Sequence, residues 1–505
     1  MEQSVRVKLD AYKELVRKIK SYYESLALMY WDLRTGAPRK GAEVRAASIG
    51  VLSTEMFKLQ ISSEMEEYLQ FLMQPDVFHT LSEIDQKSLK ESKRQFDLSK
   101  KIPPAKYQEY TELTTYAETV WEEAKEKADF AMFEPYLKKI VDMLQEFIEF
   151  WGIKGTRYDT LLDMYEPGIT VEKLDQVFGR LRDRLVPLIE KVQKASYVPE
   201  AGFLNQTFPK QQQDEFGRFI LREMGYDFEA GRLDETVHPF ETTINSGDVR
   251  VTTHYYENDV ASALFSTLHE GGHALYEQNV SKELSATPLG EGTSMGIHES
   301  QSRTWENMIG RSRSFWKRYF TDLQKHFPEQ LNGITVDQFY EGINKSENSL
   351  IRIESDELTY NLHIIIRYEI EKMLFNENLS VHDLPKVWNE KYEQYLGISP
   401  SHDGEGVLQD VHWAGGSFGY FPSYALGNMY GAQIMNTLRK EITDFESLLE
   451  KGELHPIKEW LTDKIYRHGK MLTPSEIIMQ VTGEELNPDY LADYLEEKYT
   501  EIYKL

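Results

Sequence analysis

The 505-residue sequence predicts a mainly helical fold with one small β element. Three observations carry this: long stretches with apolar residues recurring at three and four, a scarcity of alternating β-branched runs, and one Asn/Gly turn flanked by two such runs. From Met1 to about Gly202 the periodicity predicts long amphipathic helices, among them Val5–Met29, Val44–Leu72 and Tyr136–Trp151. Breaks fall at Arg34-Thr35-Gly36-Ala37-Pro38, Lys101-Ile102-Pro103-Pro104 and Glu166-Pro167-Gly168, which separate helices without forming a linker. His238 to Ile244 and Asp248 to Tyr255, joined by Asn245-Ser246-Gly247, read as a hairpin. Helix resumes after Asn258 or Asp259 as N-cap, with Val260, Leu264 and Leu268 spaced by four. The rest is again mostly helical, apart from a Gly-rich, aromatic stretch from about Gly397 to Gly431.

Composition narrows the function. Hydrophobic residues make up 40% and aromatics 12%, enough for a large core and too much for a disordered chain. There is no cysteine, so disulfides, iron–sulfur clusters, thiolate zinc sites and thiol catalysis are excluded together. Any metal must be held by His and carboxylate. Lys and Arg number 57 against 83 Asp and Glu, a net charge of −26 that repels phosphate backbones and argues against nucleic acid as a partner. No segment has the roughly 20 apolar residues of a membrane span, and the first residues lack a secretory apolar run. A cytoplasmic location without membrane association is the expectation.

His269-Glu270-Gly271-Gly272-His273 matches H-E-x-x-H about two turns into a predicted helix. Positions i and i+4 share a helix face, so both imidazoles can reach one metal while Glu270 stands over the open coordination position. Such a centre needs a third protein ligand, and no third His follows at the metzincin spacing. Glu299, in Gly296-Ile297-His298-Glu299-Ser300-Gln301-Ser302-Arg303, is the expected third ligand, with His298 as its rival. Zinc would activate a water, and Glu270 would take its proton as general base. Two glycines inside the helix, each costing about 1 kcal/mol relative to Ala, call for either a close helix neighbour or room for a substrate chain. Candidates for the oxyanion or leaving-group donor are His412, Tyr420 and Tyr424, in a Gly-rich loop.

Together the motifs resemble those of the carboxypeptidase Taq family of metallocarboxypeptidases. The resemblance rests on His238-Pro239-Phe240, Asp248-Val249-Arg250-Val251-Thr252, His269 to His273, and His298-Glu299-Ser300-Gln301. It continues through Arg352-Ile353-Glu354-Ser355-Asp356 and Gly406 to Trp413, with Ser355 where the family has Ala and a weakened Trp31-Asp32 signature ahead of Pro38. It implies a saddle-like helical gluzincin fold, similar to neurolysin, with a deep groove, and a homodimer. It also implies broad removal of C-terminal residues from peptides with a free C-terminus. Zinc would be the metal, with cobalt or manganese as substitutes, held by His269, His273 and Glu299 with Glu270 as base. His412, Tyr420 and Tyr424 would stabilise the oxyanion or orient the substrate, and the H-P-F and D-x-R-x-T motifs would close one end of the groove. A free α-carboxylate suits a planar Arg; Arg352 is the preferred receptor, with Arg250 and His238 as further substrate-binding candidates. The chain is expected to form one peptidase unit over 1–505. Within it, 1–230 is a mostly helical half, 231–430 the active-site region and 431–505 the C-terminal helices.

Overall fold

The computed structural model describes residues 2–505, with the side chain of residue 2 left out of the description. Amphipathic periodicity becomes helix where expected, with boundaries set by capping. The first helix, Glu2–Thr35, is followed by helices Ala42–Gln60, Ser63–Leu72 and Glu83–Lys100. The single helix expected over Val44–Leu72 is thus two helices. Ser62 adopts an extended conformation and its side chain accepts from Met65 N, which ends one helix and caps the next. Tyr12, Leu15, Leu69, Leu72, Leu89 and Phe96 close a small core of this N-terminal layer. The predicted Tyr136–Trp151 helix starts earlier, at Phe130, because Asp129 caps it by accepting from Ala131 N.

A second, much larger core runs through the rest of the chain. On it lies a three-stranded sheet of order β1-β3-β2, comprising β1 (Leu233–Glu235), β2 (Glu241–Asn245) and β3 (Asp248–Thr253). β2 and β3 are the predicted hairpin, antiparallel with a register shift between Thr243 and Asn245. β1, parallel to β3, was not expected, since three residues carry no readable alternation. Val249 and Val251 are fully buried. At the end of β3, Thr253 Oγ1 meets Ser266 Oγ at 2.7 Å and ties the sheet to the helix Val260–Gln278, whose N-cap is Asp259.

Ser294 caps the helix Met295–Arg303, which continues into a widened π turn over Thr304–Ile309. The irregular stretch expected up to Gly431 ends at Phe421, and Gly427 and Gly431 lie inside the helix Pro422–Glu441. Close helix packing explains both glycines: a Cβ on Gly427 would come within 2.7 Å of Glu299 Cβ, and one on Gly431 within 3.3 Å of Ser300 O. No helix among the described residues is long and apolar enough to cross a membrane.

Buried Glu166 pins the start of the Met295–Arg303 helix by accepting from Gly296 N at 3.0 Å and from Tyr430 Oη at 2.9 Å. Burial pushes its carboxyl from the ordinary 4.5 to about 7, although these donors pull the other way. The folded chain therefore keeps this proton between about pH 4.5 and 7 while the unfolded chain has lost it. Stability from this group is complete below pH 4.5 and lost as pH rises through 7, by about 3 kcal/mol. Glu166→Gln is expected to flatten the slope of urea-unfolding free energy against pH in that window by about one proton. An unchanged slope would show that Glu166 is ionised in the fold.

Candidate active site

The helix Val260–Gln278 presents His269 and His273 on one face, their rings 4.9 Å apart. Opposite them the Met295–Arg303 helix delivers Glu299, whose Oε2 lies 3.5 Å from His269 Nε2 and 3.4 Å from His273 Nε2. One donor atom from each of the three falls within 4.8 Å of the others. The two helices approach this closely because of Gly272, where a Cβ would stand 2.7 Å from Gln301 O and from Ser302 Cα. Gly271 faces Leu221 and Met224 instead. Packing, rather than space for a substrate, accounts for both motif glycines.

Outer partners aim these side chains. His269 Nδ1 lies 2.9 Å from Glu306 Oε2, in the π turn, so its Nε2 is left for the shared centre. Arg303 donates to Glu299 Oε1 at 2.7 Å and to Glu306 Oε2 at 3.2 Å, leaving Glu299 Oε2 to face the imidazoles. Burial works against ionising Glu299, but Arg303, His269 and His273 hold its carboxyl well below the ordinary range. Burial also keeps His273 neutral, its pKa down to about 3. At His269 burial is outweighed by the Glu299 and Glu306 carboxylates, which raise the pKa, so a metal there would displace a proton. Two imidazole nitrogens and one ionised carboxylate oxygen match the donor set of a catalytic divalent cation with an open position. The residues present fit the group. Glu270 is buried beside them, and in the metal-free chain burial pushes its carboxyl up to about 7.

A second cluster gathers around Asp410. Arg352 donates to Asp410 Oδ1 through Nε at 2.9 Å and Nη2 at 2.8 Å, and Arg367 takes Oδ2 through Nε at 2.6 Å. Two guanidinium groups therefore share one carboxylate, leaving one uncompensated positive charge in a buried site. Arg367 has no exposure and spends its remaining donors on His363 O, Tyr392 Oη and Gln409 Oε1. Arg352 uses its Nη1 on Tyr360 Oη at 3.2 Å. Three of its five N–H groups are thus engaged, and one on each terminal nitrogen remains. The Tyr360 ring also lies 4.6 Å from the Arg303 guanidinium, which connects this cluster to Glu299.

The loop before Pro422 brings the expected donors to the same place. His412 Nε2 is 3.3 Å from Tyr424 Oη, the Tyr420 and Tyr424 rings are 5.2 Å apart, and the Arg352 guanidinium lies 5.2 Å from the Tyr424 ring. Burial keeps His412 neutral, its pKa down to about 4. Buried Glu371 anchors the loop, accepting from Trp413 Nε1 at 2.7 Å, Gly419 N at 2.8 Å and Tyr158 Oη at 2.5 Å.

Two substrate-binding candidates are placed elsewhere. Arg250 is held by Asp248 at 2.7 Å, lies 5.5 Å from the Trp31 ring, and faces a cavity of about 670 Å³ lined by Asp32, Arg45, Arg232 and Asp234. None of the His/His/Glu set lines that cavity. His238 is exposed, and its side chain enters no hydrogen bond among those described. Phe240 of the same motif packs edge-on against Trp31 at 5.5 Å, and Thr252 bonds both Phe240 N and Phe240 O, so these motifs join the sheet to the first helix. His298, the rival third ligand, has both ring nitrogens engaged, by His273 and Glu277. Sequence reasoning missed Arg303, Glu306, Glu277, Tyr360, Arg367 and Glu371. Arg303 alone had a legible signal, standing four residues after Glu299 on the same helix face.

A His/His/Glu set with a buried carboxyl beside it, carried on a helical scaffold, is the arrangement of the H-E-x-x-H metallopeptidases. Comparison narrows the class: the profile of the carboxypeptidase Taq (M32) metallopeptidase family matches residues 11–499. The chain is 52% identical to carboxypeptidase 1 of Bacillus subtilis over 492 residues, 97% of this chain and 98% of the relative. It is 40% identical to thermostable carboxypeptidase 1 of Thermus thermophilus over 506 residues, 98% and 99% of the two chains. The crystal structure of the M32 carboxypeptidase from Deinococcus radiodurans R1 superposes with a TM-score of 0.96 at 37% identity, covering 99% of this chain and 100% of that one. The chain belongs to the carboxypeptidase Taq (M32) family, and it is a metallocarboxypeptidase, a peptide hydrolase.

Proposed function

We propose that this metallocarboxypeptidase removes C-terminal residues of many kinds from peptides, with His269, His273 and Glu299 as ligands of a zinc ion and Glu270 as general base. Cobalt or manganese would substitute at the same ligands. A divalent cation held there supplies Lewis acidity to a water and to the scissile carbonyl. Glu270 accepts the water proton and later returns one to the leaving amine. The observation that carries the exopeptidase reading is the unpaired charge of the Arg352, Arg367 and Asp410 cluster. The two free N–H groups of Arg352 suit the two oxygens of an α-carboxylate. Contacts through Tyr360 and Arg303 link that receptor to Glu299.

Digestion of a mixed peptide set, read by mass spectrometry, tests this reading. Stepwise C-terminal ladders that vanish on chelation and return with zinc are expected. Internal cuts, or cleavage indifferent to chelation, would overturn it.

Tyr424 and Tyr420 are both within reach of the oxyanion role. Burial keeps both phenols protonated, with Tyr420 pushed up to about 12 and Tyr424 well above its ordinary value, so each is a donor at neutral pH. Removing an oxyanion donor lowers kcat by about 10²–10³ with KM little changed. Tyr424→Phe is expected to show this loss and Tyr420→Phe a smaller one, since Tyr424 contacts both His412 and Arg352. The reverse order in steady-state kinetics moves the role to Tyr420. A cytoplasmic homodimer completes the proposal, on the strength of the family resemblance. Light scattering is expected to give a particle of twice the chain mass.

A further inference from the structure

Glu277 and His298 have no part in the chemistry described so far, yet they form a line of buried hydrogen bonds behind His273. Nε2 of His273 faces Glu299 Oε2 across the shared centre; with Nε2 given to a metal, the ring proton is on Nδ1. That Nδ1 lies 2.6 Å from His298 Nδ1, which accepts. Accepting there, His298 holds its own proton on Nε2. His298 Nε2 is 2.9 Å from Glu277 Oε1, which takes that bond. The same oxygen accepts from Gly292 N at 2.7 Å, while Glu277 Oε2 is buried with no partner.

The surroundings leave the line little freedom. Glu277 is 3% exposed. The Tyr276 ring packs 5.2 Å from the His298 ring, and a Cβ on Gly292 would stand 2.6 Å from His298 Cδ2. On the other side of the centre, His269 meets a carboxylate directly, through Glu306 at 2.9 Å. His273 reaches its carboxylate only through a second imidazole. Gly292, in the loop between the two ligand-bearing helices, is attached to the same carboxylate oxygen.

We infer that His298 and Glu277 are positioning residues acting through His273. They hold its ring and tautomer ready for the metal, and they fasten the 279–294 loop to the metal-binding face. Groups that support a metal-bound His in this way are typically worth 10- to 100-fold in metal affinity. The inference rests on reading His273 as a ligand.

The test is zinc affinity of the metal-free full chain, measured by competition with a chromophoric chelator, with the visible spectrum of the cobalt-loaded protein alongside. His298→Ala is expected to weaken zinc binding by about 10- to 100-fold, shift the cobalt bands, and recover most of both on adding imidazole. A purely structural loss would not respond to imidazole. Glu277→Gln keeps an oxygen for His298 and Gly292 and removes only the charge, so a loss of about tenfold with unchanged cobalt bands is expected, at the low end of the same range. It also carries the test should His298→Ala fail to fold. Wild-type zinc affinity in the folded variants, or a loss in His298→Ala that imidazole does not relieve, overturns the inference. His273→Ala separates the two readings: if it binds zinc as tightly as wild type, the ligand assignment itself fails, and if it alone loses zinc, only the His298–Glu277 role does.

Discussion

Glu270→Gln is expected to lower kcat by about 10³-fold while zinc affinity stays within a few-fold of wild type. Glutamine keeps the size and one carbonyl oxygen but cannot accept the proton of the attacking water. The magnitude follows from the usual worth of a positioned base, 10²–10⁴. The same group is expected to shape the pH profile of kcat/KM. It must be ionised to act as a base, and burial, helped by the Glu299 and Glu306 charges and opposed by His269 and His298, places its pKa at about 7 in the metal-free chain. A bound dication favours the ionised form, so the acid limb is expected below pH 7, with activity falling tenfold per unit under the apparent pKa. Glu270→Gln with more than a tenth of wild-type kcat would remove Glu270 from the role. An acid limb retained in the variant would assign the titration to another group.

Arg352→Met is expected to lower kcat/KM on peptides with a free C-terminus by at least about 10²-fold. Two charge-assisted hydrogen bonds at about 1.5–3 kcal/mol each are lost from the bound substrate. On C-terminally amidated peptides, already poor substrates, the change is expected to stay within about threefold. Folding tolerates this substitution for a specific reason: Asp410 remains paired with Arg367, so no buried carboxylate is orphaned. Removing Asp410 instead would leave two buried cations facing each other and is the more disruptive change. Steady-state kinetics on matched acid and amide peptides decide the matter. Equal losses on both would make Arg352 a structural cation and return the carboxylate receptor to the unknown.

Much of this protein is written locally. Helices were legible because a 3.6-residue repeat of apolar side chains survives any tertiary context. The hairpin was legible from its turn, and His269, Glu270 and His273 from the geometry of i and i+4 on one face. Absence of cysteine limited the metal ligands to His and carboxylate before any coordinate was known. Where local signals were weak the reading faltered. A single serine cap at Ser62 divides what periodicity presents as one helix, and β1 is too short to show a pattern.

Other features belong to the tertiary structure alone. The sequence favours Arg352 over Arg250 only weakly, since each is an arginine with an acidic residue two positions away. Packing separates them, because Arg250 is held by Asp248 and Trp31 while Arg352 shares Asp410 with a second guanidinium and keeps two N–H groups. Glycines in the motif helix read equally as room or as contact until Gln301 O and Ser302 Cα are found 2.7 Å from where a Cβ would stand. The bonds of Glu306, Glu277 and Glu371 to the site bridge 37, 21 and 42 or more residues of chain. Periodicity and motif spacing act within one helix or turn. Charge balance and ligand orientation depend on which distant groups the fold brings within 3 Å, a distance no local pattern records.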